Sequence, residues 1–248
     1  MRGLAVVLGI GALAVPPPAA GQDLAARVGE MRDGAVRLAY ATRPGVCGSG
    51  RNVMTVRDTD DWEPDCEAGP AHVLVTFRDG QLVDVDTYVG GRWRESRGPG
   101  VRDLGVVSAP VAAAYLLSLA ERSEAGAAAI FPATIADSVD VWPRLLTIAR
   151  TERLATKTRK HAVFWLGQAA GARITAELAA FVEDAGDREI QKHAVFSLSQ
   201  RGGEAVPALL RIAREHRDPA IRKAALFWLG QSGDPRALAL FEELLVKQ

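Results

Sequence analysis

Three stretches of nine residues decide the fold: KHAVFWLGQ at residues 160–168, KHAVFSLSQ at 192–200 and KAALFWLGQ at 223–231. Their first residues lie 32 and 31 positions apart. A second series alternates with them: WPRLLTIAR at residues 142–150, ITAELAAFV at 174–182 and VPALLRIAR at 206–214. We name the helices of the second series A and those of the first series B. A helix pair that recurs at this period predicts a solenoid, because each pair can bury its apolar stripe only against its neighbours.

Capping residues mark the expected helix boundaries. Asp218-Pro219 and Asp234-Pro235 predict helix starts, since an aspartate accepts hydrogen bonds from free backbone amides and proline fits the first turn. Gly167 and Gly230 lie near the end of their stretches, and they predict the ends of B helices.

The segment DPAIRKAALFWLGQSGD at residues 218–234 resembles the second helix of a HEAT repeat of the short, bacterial kind. The resemblance covers roughly residues 140–248 and recurs three times in register. It implies a right-handed stack of helix pairs that presents its B helices on a concave, ligand-facing side. We therefore expect a mainly α-helical protein, in which residues 141–248 form a HEAT-like α-solenoid of about three to four helix pairs and residues 105–140 form a helical cap.

Residues 22–104 have a different sequence pattern from the repeat region and resemble no family that we recognise. Alternating apolar residues at 73–77 and 83–85 flank Asp79-Gly80, which is a strong signal for a β-hairpin. Apolar residues at helical spacing over 24–31 predict a short opening helix, and those over 36–40 predict a strand. The glycine-rich stretch 90–105 predicts a loop and linker. This part of the chain is expected to be a small β-containing domain.

The first residues are typical of a secretory signal peptide. Arg2 precedes an apolar run at residues 4–15, and the small residues 19–21 predict cleavage before Gln22. The run is shorter than the roughly 20 apolar residues that span a bilayer. We expect residues 1–21 to be a signal peptide, the protein to be periplasmic or secreted, and the mature chain to have no membrane span. The alternative is an apolar N-terminal helix that stays attached.

The two cysteines of the chain, Cys47 and Cys66, predict one disulfide, because an exported protein meets an oxidising compartment. The bond would close a polar loop and remove on the order of 3 kcal/mol of unfolded-state entropy. Two free thiols are the alternative.

A helical wheel of the B helices separates two faces. Ala162, Trp165 and Leu166, with Ala225, Trp228 and Leu229 at the equivalent positions, form the predicted core side. The opposite side carries a lysine, a phenylalanine and a glutamine at i, i+4 and i+8. These residues are Lys160, Phe164 and Gln168; Lys192, Phe196 and Gln200; and Lys223, Phe227 and Gln231. Stacked helices would place the three rows about 10 Å apart.

Two interpretations of these rows remain open. In the first, the rows form a ridge that binds a protein or peptide. In the second, their phenylalanines pack between repeats or beneath the N-terminal domain, as large apolar residues more often do.

The remaining sequence features exclude several functions. The chain has 30 basic and 30 acidic residues, which argues against a nucleic-acid partner. No catalytic residue, metal site or cofactor is predicted: His161 and His193 occupy equivalent repeat positions, and the acidic cluster at residues 58–67 lacks the glycine of a calcium loop. The HEAT-like deoxyhypusine hydroxylases hold iron with His-Glu pairs, and this chain has no such dipeptide. We expect an exported scaffold that binds a protein or peptide; the alternative is an envelope enzyme or enzyme subunit with its site in the N-terminal domain.

Overall fold

The computed structural model describes residues 20–29, 31–55, 66–91, 100–169 and 171–246. All but the last two residues of the predicted signal peptide lie outside these ranges, as does most of the acidic cluster at 58–67. Within the described ranges, no helix is both long and apolar enough to cross a membrane.

The N-terminal part contains one helix and two small sheets. Its elements are α1 (Ala20–Val28), β1 (Gly34–Tyr40), β2 (Val46–Ser49), β3 (Asn52–Thr55), β4 (Glu67–Ala68), β5 (Ala71–Arg78), β6 (Gln81–Val89) and β7 (Val101–Val106). A four-stranded sheet has the order β6-β5-β1-β7, and a three-stranded sheet has the order β3-β2-β4. Strand β5 pairs antiparallel with both β1 and β6, whereas β7 runs parallel to β1. A β-containing region before the helices is therefore confirmed.

The predicted hairpin joins β5 to β6. Asp79 and Gly80 both have positive φ, at 51° and 75°, which is the backbone conformation that a tight hairpin turn requires. Along β5, buried residues alternate with half-buried ones, so one face of the sheet packs against the core.

The linker predicted at residues 90–105 is wrong at its C-terminal end, because Val101–Val106 forms strand β7. This strand lies at the sheet edge, and all its residues are exposed or half-buried. An edge strand of this kind needs no alternation of apolar and polar residues, so its sequence resembled a loop.

The predicted disulfide is present. Cys47 of β2 is bonded to Cys66, which precedes β4, and their Cα atoms lie 5.2 Å apart. Strand β2 pairs antiparallel with β4 next to the bond, so the disulfide and the strand pairing hold the same two segments together.

The C-terminal part is helical. Its elements are α2 (Ala109–Ala120), a 3₁₀ turn (Ala125–Ala129), α3 (Ile130–Thr134), α4 (Trp142–Arg150), α5 (Thr156–Gln168), α6 (Ala172–Asp184), α7 (Arg188–Ser199), α8 (Val206–Glu215), α9 (Pro219–Ser232) and α10 (Pro235–Val246). Helices α4, α6 and α8 are the A helices, and α5, α7 and α9 are their B partners. The B helices pack against one another in chain order, α5 on α7 and α7 on α9. The predicted solenoid is confirmed as three helix pairs followed by α10.

The capping predictions are confirmed at the helix starts, and at the helix ends they are correct to within two residues. The Asp218 carboxylate accepts a hydrogen bond from the Ala220 amide at 2.8 Å, and Asp234 accepts one from Arg236 at 2.9 Å. Helix α5 ends at Gln168, one residue after Gly167, and α9 ends at Ser232, two residues after Gly230. The glycine that caps α9 is Gly233, whose φ is 64°.

Gly167 has a different structural role. A Cβ atom on this buried residue would lie 2.9 Å from both Cβ and the carbonyl oxygen of Ser197, closer than real contacts allow. The missing side chain lets α5 approach α7 closely.

The predicted helical cap at residues 105–140 connects the sheet to the solenoid. The Tyr40 hydroxyl donates to the Pro132 carbonyl at 2.6 Å, and the Asp137 amide donates to the Ala41 carbonyl at 2.9 Å. The apolar core is continuous from α1 and the sheet to α10. The division of the chain at residue 104 stays a prediction.

Candidate functional site

The B helices bury one face as the wheel predicted. Ala162, Leu166, Ala225 and Leu229 are all buried. Trp165 and Trp228, which were predicted on the core side, are half-buried and pack against the core. Val163 of α5, which the wheel did not assign to the core, is fully buried.

Six aromatic side chains form a continuous line across α3, α5, α7 and α9, which we call the aromatic strip. Successive ring centroids are 5.0 to 6.4 Å apart along the order Phe131, Trp165, Phe164, Phe196, Trp228 and Phe227. These distances are typical of aromatic pairs in contact. The strip therefore runs from α3 across the three B helices to α9.

The three ridge phenylalanines differ in exposure. Phe164 and Phe196 are half-buried against neighbouring rings, and Phe227 is 57% exposed. Close to Phe131, the strip is bordered by Ala127 and Ala128, which belong to the helical cap and not to the predicted β-containing domain. The phenylalanines are thus neither completely buried between repeats nor uniformly exposed.

The ridge lysines form a row beside the strip. Lys160, Lys192 and Lys223 are each the fifth residue of their B helix, close to the positive end of the helix dipole. The Glu189 carboxylate bridges the first two: one oxygen lies 3.6 Å from Lys160 Nζ, and the other 3.1 Å from Lys192 Nζ. The hydrogen bond from Lys192 and the nearby positive charges lower the pKa of Glu189. Among the described residues, Lys223 has no ion pair.

Two cavities lie along the strip and make it a groove. One, of about 680 Å³, is lined by Phe131, Phe164, Trp165, Lys160 and His161, among others. The other, of about 450 Å³, is lined by Phe196, Phe227, Trp228, Lys192 and Lys223, among others. Lys160 and His193 border both cavities. We call this continuous surface the aromatic groove.

His193 lies at the junction of the two cavities. Its ring centroid is 5.7 Å from that of Phe196. Burial, helped by the charge of Lys160, lowers the pKa of His193 below its usual 6.5, so the imidazole is neutral at pH 7. Within the described part of the chain, no three His, Cys, Asp or Glu side chains are grouped so that they could hold a metal ion.

The ridge glutamines lie at the other ends of the B helices. Gln168 is half-buried and lines a separate cavity of about 340 Å³ with Trp142 and Trp165. Gln200 and Gln231 are exposed. None of the three lines the aromatic groove as described above, and their contact with a ligand stays a prediction.

The sequence reasoning missed the side chains that hold the lysine row in place. The residue directly before each lysine donates to a backbone carbonyl at the end of the preceding A helix. These bonds are Arg159 to Ala149 at 3.0 Å, Gln191 to Val182 at 2.8 Å and Arg222 to His216 at 2.7 Å. They satisfy carbonyls that a helix end leaves free, and they fix each B helix to its A partner. A long polar residue directly before each of the three stretches was the available signal.

Ion pairs between consecutive B helices extend this framework. Arg159 lies 3.4 Å from the Asp187 carboxylate, and Arg188 lies 2.6 Å from that of Asp218. Both aspartates also cap the helix that they precede. The start of each later B helix is thereby tied to the one before it.

Near the disulfide, charged side chains are held by local partners: the Glu67 carboxylate accepts a hydrogen bond from the Gly91 amide at 2.7 Å. Arg51 lies 2.9 Å from the Asp86 carboxylate and donates to the Tyr88 hydroxyl at 3.0 Å. Residues 56–65 of the disulfide loop lie outside the described ranges.

Comparison with known proteins agrees with the repeat architecture. Residues 175–248 match the family model of HEAT repeats. A comparison with curated proteins found no match.

Proposed function

Because the chain carries HEAT-like repeats, we propose that it is a protein-interaction scaffold that binds a peptide segment of a partner in the aromatic groove. The observation that carries this proposal is the continuous aromatic strip across four helices, with Phe227 more than half exposed. Contiguous apolar surface of this kind usually marks an interaction site.

The groove has the chemical composition of a binding surface. Aromatic rings supply large contact areas at low conformational cost, and they dominate the energetics of many interfaces. The lysine row beside them supplies charge that orients a partner. The bonds from Arg159, Gln191 and Arg222 hold the helices in register, so the groove is preformed.

Peptide display tests this function. A random-peptide library is selected on the purified protein, and the enriched peptides are measured by fluorescence anisotropy. Phe227→Ser should abolish their binding while leaving the fold intact, because the side chain is mostly exposed. Leu238→Ser is the matched control, since Leu238 on α10 is similarly exposed, at 60%, and does not line the groove.

The two variants distinguish binding in the groove from non-specific binding to exposed apolar side chains. Enriched peptides that lose affinity with Phe227→Ser and keep it with Leu238→Ser support the proposal. Failure to enrich any peptide, or equal loss in both variants, contradicts it.

We also propose that the protein is exported to the periplasm or secreted. The Cys47–Cys66 disulfide supports this location, because such bonds persist in oxidising compartments. Intact-mass measurement of the protein from an envelope fraction should show a chain that begins at or near Gln22. Finding the full-length chain in the cytosol would contradict export.

A further inference from the structure

We propose that the part of the groove between Lys192 and Lys223 binds a carboxylate side chain of the partner peptide, next to an apolar residue of the same peptide. This inference rests on the proposed function and specifies the chemistry of the ligand.

The first pair of ridge lysines shows which chemical group such a pair binds. Glu189 places its carboxylate between Lys160 and Lys192, within 3.6 Å of both ammonium groups. One repeat later, Lys223 replaces Lys192, and the position equivalent to Glu189 is Ala220. The second lysine pair therefore lacks the carboxylate that the first pair has.

The empty position coincides with a cavity. The cavity of about 450 Å³ is lined by both Ala220 and Lys223. Its lining has three lysines, and Glu189 is the one acidic residue that the described part of the chain contributes to it. Because the first two lysines share Glu189, the positive charge of Lys223 is left for a ligand.

The surroundings of the cavity suit the proposed ligand. Phe196, Phe227 and Trp228 supply apolar surface beside the lysines, which can contact the apolar residue of the peptide. The first turn of α9 adds the positive end of a helix dipole. The Ala220 amide is already bonded to Asp218, so the lysine side chains, not this amide, are the donors for a carboxylate.

The spacing of the groove indicates a motif. The lysine and phenylalanine of one B helix are four residues apart, which is about 6 Å along the helix. In an extended peptide, residues i and i+2 lie on one face about 6.6 Å apart. The matching ligand is thus an acidic residue followed, two positions later, by an apolar one.

Ala220→Glu tests the assignment, because the carboxylate of the new side chain would occupy the proposed site. A glutamate here should bridge Lys192 and Lys223 as Glu189 bridges the first pair, and Ala220→Gln is the uncharged control. The probe is a fluorescein-labelled nonapeptide of three Glu-Ser-Phe triplets, with a counterpart in which glutamine replaces each glutamate. Circular dichroism and urea unfolding confirm that the variants fold, and Lys223→Gln serves as a second variant.

The expected result is that the wild-type protein binds the glutamate peptide about ten-fold more tightly than the glutamine peptide, as one charge-assisted contact would give. Ala220→Glu and Lys223→Gln should remove this difference. Ala220→Gln should reduce it less than Ala220→Glu does, because its amide fills the position without a negative charge. Equal affinity of the wild-type protein for both peptides, with both lost in Phe227→Ser, would overturn the inference and leave the groove in place. If neither nonapeptide binds while display enriches other peptides, the inference alone is wrong; if display also enriches none, the proposed function fails with it.

Discussion

Replacing Gly167 and Gly230 by alanine should change stability in opposite directions, although the two glycines occupy equivalent repeat positions. Both lie inside B helices, where alanine is preferred to glycine by about 0.5–1 kcal/mol. At Gly230, the nearest atom to an added Cβ is Phe241 Cζ at 3.7 Å, which is an ordinary contact. Gly230→Ala should therefore stabilise the protein by about 0.5–1 kcal/mol.

At Gly167, the same methyl group would meet Cβ and the carbonyl oxygen of Ser197 at 2.9 Å. Relieving this overlap requires α5 and α7 to separate, and overpacking of this kind costs about 1–3 kcal/mol. The cost exceeds the gain in helix propensity, so Gly167→Ala should be destabilising. The difference between the two variants isolates the packing cost.

Urea unfolding followed by circular dichroism measures both changes on one protein. The free energy of unfolding should be lower for Gly167→Ala than for Gly230→Ala by about 1–3 kcal/mol. Equal stabilisation of both variants would show that α5 and α7 pack less closely at Gly167 than in the structure. The helices that form the groove would then be less tightly packed.

Three further perturbations test other parts of the structure. Leu229→Ala should cost about 2–5 kcal/mol in a chemical melt, since Leu229 is 1% exposed, and a change under about 1 kcal/mol would refute its place in the core. Replacing Cys47 and Cys66 by serine should lower the free energy of unfolding by on the order of 3 kcal/mol, whereas an unchanged midpoint would show that the loop is held by other contacts. The hydrogen bonds that Asp234 accepts from Arg236 lower the pKa of its carboxyl group from 3.8 to about 2. The contribution of this helix cap to stability is therefore complete above pH 3.8 and is lost as the pH falls toward 2. Melting temperatures across this window should fall in the wild-type protein more than in Asp234→Asn, and parallel curves would contradict the cap.

The repeat register was the most informative part of the sequence. It located all three B helices, and Asp234-Pro235 located the start of α10 at Pro235. These features are local: a cap, a proline and an apolar stripe act within one or two turns, so the sequence alone contains them.

Features that depend on neighbouring elements could not be read in this way. The wheel represents one helix alone. It placed Trp165 and Trp228 on the core side, but it could not show that each is only half-buried and also lines a cavity. The packing role of Gly167 could not be predicted, because the residue that it contacts, Ser197, lies in the next repeat. Strand β7 is held by pairing with β1 and not by an apolar pattern of its own.

The candidate site was predicted in part. The lysine and phenylalanine rows are recognisable in the repeated stretches, and the structure brings them together in one groove. Phe131 could not be assigned to the strip because it comes from the helical cap, outside the repeat. The difference between Glu189 and Ala220 is visible in the sequence, but it gains meaning only when the salt bridges to Lys160 and Lys192 are known.

Hydrogen–deuterium exchange of the protein, with and without a peptide selected by display, tests the central claim most directly. Binding in the aromatic groove should slow exchange in α5, α7 and α9 and leave the A helices α4, α6 and α8 unchanged. Slower exchange confined to the A helices, or to strands β2 and β3 beside the disulfide, would contradict the account and place the binding site elsewhere.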